Sequence, residues 1–169
     1  EDELRESERK YRLLAENTVD VVYSLDAQLR PTYISPSVET LLGYPPEHFH
    51  DASIFDFVVP EQKEQVAKAI KERIAARESF GVTEFAVQEA GGNIRWVENR
   101  ARYIYRADGD LSAIVGTARD ITDKQKAEEE RQAALEYKDL LMSELNHRVK
   151  NNLAMVASLV SLKQSAVSD

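Results

Sequence analysis

The sequence predicts an α+β chain: a five-stranded antiparallel sheet with flanking helices, followed by one long C-terminal helix. Three observations carry this. Two short β-type runs open the region and three longer ones close it, with helical patterns between. The last three runs are separated only by Gly91-Gly92-Asn93 and Asp108-Gly109-Asp110, tight-turn sequences that make neighbouring runs antiparallel hairpins. Beyond Thr122 neither glycine nor proline occurs, and apolar residues settle into a spacing of three and four.

The elements follow in order. Residues 1–17 are highly charged, with Leu4, Tyr11, Leu13 and Leu14 as apolar contacts, and read as an N-terminal helix. Asp20–Leu25 and Thr32–Ser35 are short strands joined by a polar turn. Ser35-Pro36 opens a short helix, with serine as the cap and proline at the first helical position, and Gly43 ends it. Pro60 begins a longer helix with Val66, Ala69, Ile70 and Ile74 on one side. The three long strands cover roughly Phe80–Gln88, Ile94–Tyr105 and Leu111–Ile121. Thr122 and Gln125 have the spacing of a capping box and mark the start of the last helix.

Composition bounds the function. The net charge is −8, with Lys and Arg interspersed among acids. That argues against a general nucleic-acid or anionic-membrane surface. The chain has no cysteine, which removes disulfides, thiolate metal sites and thiol nucleophiles. No apolar run approaches the ~20 residues that span a bilayer. The chain begins with Glu and is expected to be a piece of a longer protein, in the cytoplasm, with a membrane anchor elsewhere in the parent left open.

Two places are candidates for chemistry. In Ile94–Tyr105, alternation puts Val97, Asn99, Ala101 and Tyr103 on one face and Trp96, Glu98, Arg100 and Arg102 on the other. The first set is expected inward, so Asn99 is a polar group in an apolar interior and needs a partner: Tyr23, a backbone group, water or a ligand. On the last helix, Met142, Leu145, Val149, Leu153, Val156 and Val160 form one apolar stripe. His147 points about 160° away from it. Glu144 and Asn151 lie beside His147, at three before and four after, and Arg148 and Lys150 flank it. A solvent-facing imidazole in a cation-bordered polar patch suits a phosphoryl group. The plainer reading is a solvated helix face that happens to carry a histidine.

The order of elements over Val19–Thr122 resembles a PAS domain. Tyr33-Ile34-Ser35-Pro36-Ser37, Leu42-Gly43-Tyr44, Gly92-Asn93-Ile94-Arg95-Trp96-Val97 and the closing Gly116–Thr122 run carry the resemblance. It implies a sensor whose interior can hold a small molecule. A flavin-cysteine adduct is disfavoured because the chain lacks cysteine, and haem because Pro60–Arg77 contains no histidine. His48 and His50, two apart in a loop, make a thin case for a metal, and no metal is expected.

His147-Arg148-Val149-Lys150-Asn151-Asn152-Leu153 resembles the phosphoacceptor helix of sensor histidine kinases of the H-R-x-x-N subgroup, to which the HWE-type kinases and their relatives belong. The resemblance runs from about Leu141 to Gln164. It implies that His147 takes the γ-phosphoryl group of ATP from a catalytic domain and passes it to an aspartate of a response regulator. Arg148, Lys150, Asn151 and Glu144 would support it: the cations by neutralising charge, Asn151 by orienting the group or a water, Glu144 by holding the other ring nitrogen. The expected divisions are an N-terminal helix (1–17), the sensor (18–122), a coiled-coil linker (123–140) and the first helix of a dimerisation and phosphotransfer domain (141–169). A homodimer through the N- and C-terminal helices is expected. The boxes of an ATP-binding domain are absent, so the chain alone is expected to be inactive, with that domain acting in trans. The alternative is a PAS adaptor for dimerisation or ligand binding, with His147 incidental.

Overall fold

A computed structural model describes residues 17–50 and 52–167, together with Glu6 and Ala15, and side chains through residue 161. The N-terminal helix expected over 1–17 lies almost wholly outside the described residues; Glu6 and Ala15 are helical. By its contacts the chain divides into two compact units, Glu1–Asp123 and Lys124–Asp169.

The first unit is built on five strands: β1 (Val21–Asp26), β2 (Pro31–Ile34), β3 (Phe80–Gln88), β4 (Ile94–Tyr105) and β5 (Leu111–Asp120). Their order in the sheet is β2-β1-β5-β4-β3, with every neighbouring pair antiparallel. The first and last strands therefore pair with each other, and the sheet is complete only once β5 has formed. The β3–β4 and β4–β5 hairpins turn at Gly92 and Gly109, whose φ angles of 85° and 91° are ones that side-chain-bearing residues avoid.

Between β2 and β3 lie α1 (Ser37–Leu42), two short 3-10 turns (Pro46–Phe49 and Ile54–Asp56) and α2 (Pro60–Ala75). Gly43 closes α1 in the left-handed conformation, and its amide bonds to the Glu39 carbonyl. Proline stands at the first position of α2, and Val66 of that helix is buried. The inner face of the sheet and these elements bury two apolar clusters. One holds Val21, Val38, Leu41, Leu42, Phe49 and Val97. The other joins Leu25, Ala101, Tyr103 and Ile114 to Ile70 and Ile74 of α2.

One cap differs from the sequence expectation. The Ser35 side chain does not cap α1, which carries no side-chain cap bond. The Ser35 hydroxyl is fully buried and accepts the Val22 amide at 2.8 Å. It shares a 2.7 Å hydrogen bond with Ser37, whose hydroxyl in turn donates to the Asp20 carbonyl. A buried amide at the start of a central strand is the more costly group to leave unpaired, so the serine serves the sheet.

The last helix, α3, runs unbroken from Thr122 to Val167. Among the described residues no helix is long and apolar enough to cross a membrane.

Candidate functional site

The first site is the interior of the sheet. The inner faces of β1, β3, β4 and β5, with α1, α2 and the 3-10 turns, enclose a cavity of about 120 Å³. Its lining carries no charged side chain; Tyr23, Thr83, Asn99 and Tyr103 are its polar members. Alternation along β4 places Asn99 among the inward residues, as expected, with Val97, Ala101 and Tyr103 buried beside it. Its partner is Tyr23, whose hydroxyl donates to Asn99 Oδ1 at 2.6 Å across 76 residues of sequence. Burial raises the Tyr23 phenol far above its ordinary value, against the smaller lowering effect of Asn99, so the hydroxyl stays a donor. Gly116 of β5 makes room for this ring: a Cβ there would lie 2.5 Å from the Tyr23 hydroxyl. The sequence signal for that glycine was weak, since its requirement arises only where β1 and β5 meet. At the cavity edge Arg73 of α2 donates to the Thr83 hydroxyl at 2.6 Å and to the Val82 carbonyl at 2.9 Å.

His48 and His50 do not converge on a ligand. The His48 ring stacks on Tyr44 at 4.4 Å, and His50 Nδ1 pairs with the Glu47 carbonyl. Among the described residues no group of three or more His, Cys, Asp or Glu is placed to hold a metal.

A polar junction marks the end of the sheet. Thr122 Oγ1 accepts the Trp96 amide at 2.9 Å and donates to Asp120 at 2.5 Å. The same carboxylate accepts the Thr122 amide, and Arg95 reaches it at 3.2 Å and Glu89 at 2.8 Å. Burial acts to raise the Asp120 pKa, but the two Thr122 hydrogen bonds and Arg95 together hold it below its ordinary value. The first residue of α3 is thus stitched to β4 and to the β3–β4 hairpin. The capping-box spacing located the helix start but gave no sign of this bond to Trp96.

The second site is the stretch of α3 around His147. His147, Glu144, Arg148, Lys150 and Asn151 are all exposed. Asn151 Nδ2 lies 3.3 Å from His147 Nδ1. Glu144 is drawn to Arg148, whose Nη2 and Nε reach one carboxylate oxygen at 2.5 and 3.1 Å. The ring nitrogen thus faces Asn151, while the carboxylate expected to hold it pairs with the guanidinium. The stripe residues Met142, Leu145, Val149, Leu153, Val156 and Val160 are exposed too. A single chain thus carries an unburied apolar row along α3.

The sequence model of the PAS fold matches residues 31–118, just over half of the chain. The chain belongs to the PAS family. A second family model, histidine kinase, matches residues 144–169, the segment that holds His147. The PAS chain is also similar to a blue-light-activated histidine kinase of Brucella anthropi, with 33% identity over 117 residues. That match covers 69% of this chain and 22% of the relative. A protein of the same description from Brucella ovis is 30% identical over 128 residues, covering 75% of this chain and 24% of that one. The chain therefore spans less than a quarter of the length of these curated relatives.

Solved structures agree on the fold. A PAS domain from Colwellia psychrerythraea superposes with a TM-score of 0.61 at 21% identity, over 68% of this chain and 97% of that one. A sensory box histidine kinase/response regulator from Burkholderia thailandensis gives 0.62 at 21%, over 75% and 95%. This PAS chain, with a phosphoacceptor-type segment after it, is homologous to histidine kinases.

Proposed function

We propose that this chain is the sensor and phosphoacceptor part of a two-component histidine kinase, with His147 as the acceptor. The observation that carries it is the exposed His147 ring on an unbroken helix, within the segment that matches the histidine kinase family. Nε2 of the ring attacks the γ-phosphorus of ATP held by a catalytic domain supplied in trans. The bond to the β–γ bridging oxygen breaks, and ADP leaves with the electron pair. Lys150, and Arg148 once released from Glu144, offer positive charge to the group in flight. The phosphoryl group then passes to a response-regulator aspartate. The divisions 18–122, 123–140 and 141–169 serve as sensor, signalling helix and first dimerisation helix. The protein works in the cytoplasm as a homodimer, and the exposed apolar stripe of α3 is the face that a second copy covers.

For the sensor, the uncharged lining and the Tyr23–Asn99 pair fit a small neutral ligand, mostly apolar, with one hydrogen-bonding group. The residues do not fit the blue-light chemistry that the relatives' names carry. No thiol is present to form a flavin adduct. No photochemical step is assigned to this chain.

The test is incorporation of label from ATP. With a histidine kinase catalytic domain added, the chain takes up phosphate that is stable in base and lost in acid, and His147→Gln takes up none. Without the added domain neither is labelled. Equal labelling of the two chains would remove His147 from the reaction and leave the adaptor reading.

A further inference from the structure

Gly81 of β3 pairs with Ala101 of β4, an inward residue of the cavity wall, and its own φ does not call for glycine. A glycine inside a strand weakens it and marks a close approach. Here the approaching group is Arg73 of α2: a Cβ on Gly81 would lie 2.6 Å from Arg73 Nε. The Arg73 side chain is only 22% exposed and fills the space that a larger residue at 81 would take. Its guanidinium donates to the hydroxyl of Thr83, which lines the cavity, at 2.6 Å and to the Val82 carbonyl at 2.9 Å. Farther along β3 the chain is laced by its neighbours. The Val59 amide donates to the Ala86 carbonyl at 3.0 Å, the Gln88 amide to the Phe57 carbonyl at 2.8 Å, and Gln62 Oε1 accepts the Ala86 amide at 2.8 Å. Main-chain lacing moves only with the backbone. One long side chain can swing into water by itself, because its charged end is well hydrated there. The Glu78 carboxylate, half exposed and 3.6 Å from Arg73 Nε, offers it a partner at the surface.

We propose that Arg73 is the gate of the interior cavity: a small molecule passes between α2 and β3 when the guanidinium leaves Thr83 and Val82 and turns to Glu78. This rests on the cavity being the ligand site of the sensor. The arrangement observed is the shut one, in which a charged side chain closes off an apolar lining. Ile70 and Ile74 keep α2 on the core whether the gate is shut or open. Gly81 serves the shut state alone, since a methyl there takes the place of the Arg73 side chain.

The chain has no cysteine, so a single one placed in the cavity reports access to it. Val97→Cys puts a thiol of similar size at a lining position that is 2% exposed. Its reaction with methyl methanethiosulfonate is timed in the 169-residue chain. Arg73→Met and Gly81→Ala are each added to this reporter. Ser35→Ala, which loses the bond to the Val22 amide and leaves α2 untouched, is the control for lowered stability. Urea denaturation of each protein, with the labelling rate of the unfolded chain, gives the share that global unfolding explains. Beyond that share, both gate variants are expected to label about ten- to hundredfold faster than the reporter chain, the worth of two hydrogen bonds. Ser35→Ala is expected to match the reporter chain. Either gate variant decides the matter if the other does not fold. If no protein labels faster than unfolding allows, the interior is sealed, and the gate falls together with the cavity as a ligand site. If the reporter chain labels faster than unfolding allows and neither gate substitution changes the rate, molecules enter elsewhere, and the gate alone falls.

Discussion

Tyr23 and Asn99 are a polar pair inside an otherwise apolar enclosure, and their energetics depend on both being present. Removing the phenol hydroxyl leaves Asn99 Oδ1 with its recorded donor gone, at a cost of about 1–3 kcal/mol. Tyr23→Phe is therefore expected to lower the urea midpoint, while Tyr23→Phe with Asn99→Leu recovers much of the loss. A double variant as unstable as the sum of the singles would show that the pair is not coupled. Gly116→Ala tests the same place from the other side. The added methyl meets both the Tyr23 hydroxyl and the Arg100 carbonyl, and one of these is backbone that cannot swing away. A loss of about 1–3 kcal/mol is expected on denaturation. Alternation along β4 was enough to point Asn99 inward. Tyr23 was one of several candidate partners in the sequence, and the pairing of β1, β5 and β4 is what selects it.

At the scale of an element, the start of α3 is the informative one. Asp120 has a folded pKa below its unfolded value of about 3.9. Its contribution to stability is present above that unfolded value and disappears as pH falls through the lower folded one. Denaturation measured at a series of pH values is expected to show a loss below about pH 4 that is smaller in Asp120→Asn. An identical acid response in both proteins would rule out the carboxylate as the cause. Thr122→Ala removes the acceptor of the Trp96 amide and is expected to cost about 1–3 kcal/mol. The sequence placed the helix start correctly because capping spacing is local. It missed the tie to Trp96, which lies 26 residues back and on another strand. The same limit explains Ser35: a serine before proline reads as a cap, but the Val22 amide claims its hydroxyl.

For the molecule as a whole, the apolar stripe of α3 sets the expectation. Leu145 and Val149 are 55% and 54% exposed, and covering what remains of each is worth about 1–1.5 kcal/mol. Leu145→Glu with Val149→Glu is expected to convert a dimer to monomer in sedimentation velocity, while the circular dichroism of the sheet unit is retained. A parent chain that is already monomeric at tens of micromolar, on the order of typical assay concentrations, would remove the homodimer from the proposed function. Under the proposed function, one residue inserted after Thr122 turns everything downstream on α3 by about 100°. Signalling is expected to change sharply with such an insertion, as read by His147 phosphorylation.

The sequence by itself determined the elements, their order and the faces they present. Periods of two and of three-to-four are properties of neighbouring residues, and so are glycine turns and proline starts. They located five strands, α1, α2 and α3, and the inward set on β4. The tertiary structure decided which polar groups meet: Tyr23 with Asn99, Val22 with Ser35, Arg95 with Asp120. Within α3 the spacing of four brings Asn151 to the His147 ring and Glu144 to Arg148, and the local geometry of the side chains chose those partners. A hydrogen bond needs atoms within about 3 Å in a given orientation. Spacing along a chain brings residues into range, and the competition among all neighbours in space chooses the pair.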